Sequence, residues 1–163
     1  MQVRAQDEAV VGAVRIKHLS LGAGDLDIEL LPAWTRAIGA SLEHLSLSFA
    51  QVGGVEITRK ASACLQHCPE LRQLTLCATR TAASASGSCK PISVNPYFWS
   101  CALEVFRAAL LHAQALECIE FICVDGETHK EYRNAVESVE KLLTEVNKGD
   151  TYGREIKASF LCQ

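Results

Sequence analysis

Leu42-Glu43-His44-Leu45-Ser46-Leu47 is the stretch whose reading decides the fold. Apolar side chains stand at its first, fourth and sixth positions, and its second half alternates polar and apolar residues. Alternation with period two is the pattern of a β-strand with one face buried and one face wet. The same template recurs as Ile16-Lys17-His18-Leu19-Ser20-Leu21, as Leu71-Arg72-Gln73-Leu74-Thr75-Leu76 and as Leu116-Glu117-Cys118-Ile119-Glu120-Phe121. A weaker strand runs from Ile156 to Cys162. The successive starts are 26, 29, 45 and 40 residues apart, so two steps have the length of a repeat and two are longer.

Helical patterns fill the gaps. Pro32 suits a first helical position, and Ala33, Trp34, Ala37 and Ile38 follow it as one stripe. A second helix is expected from about Val55 to Cys68, a third from about Pro96 to Gln114, and a fourth from about His129 to Lys148. The fourth carries Tyr132, Ala135, Val136, Val139, Leu142, Leu143 and Val146 at helical spacing, and Gly149 suits the position after its end.

Strand then helix, repeated, fits either a doubly wound parallel sheet covered on both faces or a one-sided array. A sheet covered on both faces needs nearly continuous apolar strands. These strands alternate, so the expected fold is α/β: a curved parallel sheet on one side, strands in sequence order, and helices on the other side only. Leu19, Leu21, Leu45, Leu47, Leu74, Leu76, Ile119 and Phe121 are the expected strand core.

At these residues the chain resembles the leucine-rich-repeat family, and its repeat lengths and intervening helices look like the long-repeat, ribonuclease-inhibitor-like branch. The resemblance covers most of residues 14–125 and fades beyond. It departs from the family's turn, where Asn or Cys usually follows the last apolar strand position by three residues; here stand Gly24, Ala50, Thr79 and Val124. The resemblance implies a short solenoid, one domain over residues 1–163 that becomes irregular after about 125, and a face that commonly binds proteins.

Composition narrows the classes. Of 163 residues, 48% are hydrophobic and 21% charged, with a net charge of -3. No basic run appears, which argues against a nucleic-acid partner. No segment approaches the roughly 18 apolar residues of a spanning helix, and the start, with Asp7 and Glu8, lacks the basic opening of a secretory signal. An intracellular, cytoplasmic chain is expected, with its eight cysteines reduced.

The candidate chemistry has plain competitors. His18, His44 and Cys118 share a repeat position, but Gln73 interrupts the column, and a tetrahedral metal site needs a cluster rather than a line. Cys64, His67 and Cys68 have ligand-like spacing, yet the two thiols share an apolar helix side and read as core. No nucleophile arrangement and no phosphate loop stand out: Gly22, Gly24, Gly53 and Gly54 read as turns. No cofactor or metal is expected.

What remains is a polar strand face: Lys17, His18 and Ser20; Glu43, His44 and Ser46; Arg72, Gln73 and Thr75; Glu117 and Glu120. The expected function is a protein-binding scaffold, adaptor or subunit of a larger complex, rather than an enzyme. The competing class is a small α/β enzyme with a thiol or histidine near the strand ends. The segment at about 77–95, rich in Ala, Ser and Thr, reads as a mobile insertion. A thin cap is expected around Ala9, Val10 and Val11. The last strand should be an open edge, covered by further repeats or a partner, or else folded back antiparallel.

Overall fold

The computed structural model describes residues 15–21, 25–49, 54–78, 98–123, 129–149 and 155–162. Five strands alternate with four helices: β1 (His18–Leu21), α1 (Asp25–Ile38), β2 (His44–Phe49), α2 (Gly54–Leu65), β3 (Gln73–Ala78), α3 (Phe98–His112), β4 (Cys118–Cys123), α4 (His129–Gly149) and β5 (Lys157–Cys162). A short 3-10 turn, Gly39–Ser41, links α1 to β2.

All five strands are parallel, and their order in the sheet is their order in the sequence. β2, β3 and β4 each alternate half-buried and buried residues. The buried set, including Leu45, Leu47, Leu74, Leu76, Ile119 and Phe121, forms one core with Leu31, Leu65, Val105 and Phe106 of the helices. α1 packs on α2, α2 on α3 and α3 on α4. The helices therefore cover one face and leave the other open, as the alternation in the strands requires.

The repeat is also a repeat of backbone hydrogen bonds. The carbonyl of Lys17 accepts from the amides of both Glu43 (2.9 Å) and His44 (2.8 Å). That of Glu43 accepts from Arg72 (2.8 Å) and Gln73 (3.0 Å), and that of Arg72 from Glu117 (2.8 Å) and Cys118 (3.0 Å). Just upstream, the amides of Leu42, Leu71 and Leu116 donate to Gly39, Cys68 and Ala113. Each leucine that opens a motif is thus held at the same turn, and each is 0–1% exposed.

β5 breaks this pattern. The Glu117 carbonyl accepts from Lys157 (2.9 Å), while the Ile156 amide donates to Asn147 Oδ1 of α4 (3.2 Å). A side chain thereby takes over a bond that the ladder makes elsewhere, which is how the motif fades after residue 125. Phe160 stacks on Phe121 (5.1 Å, 11° between planes), and Trp99 lies within 6.4 Å of Phe121, Tyr132 and Phe160.

Several expectations change. β5 runs parallel to β4, so it does not fold back. The sheet is not curled; curvature in a stacked array accumulates from a small rotation per repeat, and five strands give little room for it. α1 begins at Asp25, which places Pro32 inside the helix. An interior proline forfeits one helical hydrogen bond, and the packing of Leu31 and Thr35, 1% and 0% exposed, holds the helix through it. Leu19 is only half-buried because β1 is an edge strand. The expected N-terminal cap, the four turn positions and all but the first two residues of the expected mobile insertion lie outside the described residues. Those two, Cys77 and Ala78, end β3.

Gly39 is a packing requirement. A Cβ there would collide with the carbonyl oxygen of His67 and press on Cys68 Sγ. The exit of α1 and the exit of α2 touch backbone to backbone at that point.

Candidate functional site on the open strand face

The parallel register turns the polar strand positions into rows across the sheet. His18 lies beside His44, His44 beside Gln73, and Gln73 beside Cys118, which faces Lys157. Ser20, Ser46, Thr75, Glu120 and Ser159 make a second row. Lys17, Glu43, Arg72 and Glu117 make a third at the entry to the strands, joined by the shared carbonyls. Of the eleven residues expected from the sequence, seven (His18, Ser20, His44, Ser46, Gln73, Thr75 and Glu120) stand in the two rows on this face, and Lys17, Glu43, Arg72 and Glu117 stand at its edge, at the entry to the strands; all are exposed or half-buried.

The rows are held by their own contacts. Lys17 Nζ pairs with Glu43 Oε1 at 2.7 Å, and Arg72 Nη1 donates to Glu117 Oε1 at 3.0 Å. The rings of His18 and His44 stack at 4.2 Å with 13° between their planes. His44 Nδ1–H donates to Gln73 Oε1 at 2.9 Å, and Thr75 Oγ1 donates to Glu120 Oε2 at 3.2 Å. The hydrogen bond from Lys17 holds the Glu43 carboxyl below its ordinary range.

Two hollows lie on the face and at its edge. One, of about 240 Å³, is bounded by His18, Ser20, His44, Ser46, Gln73 and Thr75. The other, of about 480 Å³, lies off the face at the strand entry, where Lys17, Glu43 and Arg72 meet Ala37 and Ile38 at the end of α1, with Arg15 and Glu70. Glu117 and Glu120, on the β4 side, line neither. Sequence reasoning missed Arg15, Glu70 and Lys157. Lys157 was legible as the continuation of the histidine row, once β5 is aligned to β4.

Burial acts on four of the described thiols. Cys64, Cys68, Cys77, Cys101, Cys118 and Cys123 are thiols rather than disulfides. Burial raises the thiol pKa of Cys64, Cys77 and Cys118, and pushes that of Cys68 up to about 11. Among the described residues no group of three or more His, Cys, Asp or Glu is placed to hold a metal ion. The nearly parallel imidazoles of His18 and His44 lie ring on ring instead of converging on a point. Among the described residues no helix is long and apolar enough to cross a membrane.

Fold and site together define a class: an α/β protein with a sequentially ordered, all-parallel five-stranded sheet, helices on one face and an ordered polar face on the other. Comparison with protein-family models, curated proteins and solved structures gives no match.

Proposed function

We propose that the chain is a protein-binding module, a short solenoid of the leucine-rich-repeat kind whose open strand face holds a partner protein. It acts as a scaffold, adaptor or subunit of a larger assembly and not as an enzyme. Its binding residues are Lys17, His18, Ser20, Glu43, His44, Ser46, Arg72, Gln73, Thr75, Glu117 and Glu120.

The observation that carries this reading is the continuity of the polar face across four strands, fixed by side chains that brace one another: Lys17 on Glu43, His18 on His44, His44 on Gln73, Arg72 on Glu117 and Thr75 on Glu120. Side chains ordered in advance lose less freedom when a partner docks. Their mixed charges suit a protein surface better than a polyanion. The solenoid reading rests on the recurring hydrogen bonds at each strand entry. The raised thiols count against a thiol enzyme, since the thiolate is the reactive form.

The test is charge reversal at the strand entry, Glu43→Lys with Arg72→Glu. Partner affinity should fall while the melting temperature stays nearly constant, because exposed ion pairs contribute only about 0–1 kcal/mol. Affinity that survives this change and is lost instead with Arg107→Glu, on the helical side, would defeat the reading.

A further inference from the structure

The helical layer carries a further hollow, formed between α1 and α2. A groove of about 210 Å³ is lined by Pro32 and Arg36 of α1, by Arg59, Lys60 and Ala63 of α2, and by His67 just beyond it. Among the described residues no carboxylate lines it, and Lys60 has an interaction of its own. Arg36 and Arg59 are exposed, and neither makes a hydrogen bond or ion pair among the described residues. The open strand face differs: there Lys17 and Arg72 are each matched to a glutamate.

From this geometry we infer that the α1–α2 groove docks an acidic segment of a partner protein. Two guanidiniums in one groove present planar forks that match carboxylates in paired hydrogen bonds. The chain carries a net charge of -3, and α4 exposes Glu137, Glu140 and Glu145, so a cationic groove is a local exception on an acidic protein. Such an exception focuses the field and draws anionic groups to one place. A nucleic acid would call for a basic stripe tracking successive phosphates; here the basic residues named along the groove are Arg36, Arg59, Lys60 and His67. The chemistry therefore fits a few clustered carboxylates of a peptide. This surface is separate from the strand face, and its occupancy does not depend on the proposed function.

The test uses the full chain and a fluorescein-labelled oligoglutamate peptide, read by fluorescence anisotropy. Binding is expected at an ionic strength of about 0.01 M and should weaken toward 0.15 M, as the Debye length falls from about 30 to about 8 Å. Arg36→Gln with Arg59→Gln should weaken binding roughly tenfold or more, or about 1.4 kcal/mol. Arg107→Gln with Arg133→Gln, exposed cations on α3 and α4, should leave it nearly unchanged. Glu43→Lys with Arg72→Glu should also leave the double Arg36/Arg59 loss intact, which separates this surface from the strand face. Three results would overturn the inference: no binding at low salt, equal losses in the two arginine pairs, or a single-stranded RNA of equal charge that binds the same groove more tightly.

Discussion

His18 stacks on His44, ring centroid to ring centroid at 4.2 Å, and His44 passes the contact on to Gln73 through a 2.9 Å hydrogen bond. One histidine thereby ties three neighbouring strands together on the wet side of the sheet. His44→Ala removes both contacts. Because the pair is partly solvated, the loss should be about 0.5–1 kcal/mol, measured by urea unfolding. Partner affinity should fall further than stability does. An unfolding midpoint shifted as far as by a core leucine truncation would mean that the ring is a core element and not part of a surface.

The core makes the opposite demand. Leu45 is 2% exposed, and Leu45→Ala should cost about 2–5 kcal/mol. Leu19 occupies the equivalent position on β1, beside Leu45, yet is half-buried. Leu19→Ala should cost clearly less in the same assay. Equal costs would show that β1 is covered in solution.

Gly39→Ala sets two effects against each other. Alanine restricts the unfolded chain, which stabilises by about 0.4–1 kcal/mol where the site accepts it. Here its Cβ meets the His67 carbonyl, and a backbone atom yields less readily than a side-chain tip. Overpacking of this kind costs about 1–3 kcal/mol, so net destabilisation is expected in thermal or chemical unfolding. A neutral or stabilised variant would mean that the α1–α2 contact is looser than described.

Alkaline pH should weaken the fold through Cys68. Burial raises its thiol pKa from 9.0 to about 11. Below pH 9 the thiol is protonated in both folded and unfolded chains, and its contribution is complete. Between pH 9 and about 11 the unfolded chain ionises first, so stability falls with rising pH, by about 2–3 kcal/mol in total. Unfolding free energies measured at pH 8 and pH 10.5 should differ more in the wild type than in Cys68→Ala. Identical pH slopes would contradict the burial of this thiol.

Much of the architecture was legible in the sequence because strand alternation is a local signal. His44-Leu45-Ser46-Leu47 and its three relatives marked β1 to β4, their inner faces and their order, and the same alternation excluded helices on both faces. Helix starts were less legible: Pro32 looked like a first helical position, but tertiary packing of Leu31 and Thr35 carries α1 through it. The absence of curl in the sheet and the edge exposure of Leu19 depend on how many strands stack, which no single motif encodes. The polar rows were readable from register. The α1–α2 groove was not, because Arg36 lies far along the chain from Arg59 and Lys60, and only helix packing brings them together.

The central claim, that the open strand face is the binding surface, is tested most directly by placing a photo-crosslinking amino acid at Ser46 and, separately, at Arg107. Ser46 sits within the polar rows beside Ser20 and Thr75, whereas Arg107 is exposed on α3. Under irradiation in cell extract, Ser46 should yield a discrete protein adduct that Glu43→Lys with Arg72→Glu abolishes, and Arg107 should not yield that adduct. The same adduct formed from Arg107 and absent from Ser46 would contradict the account.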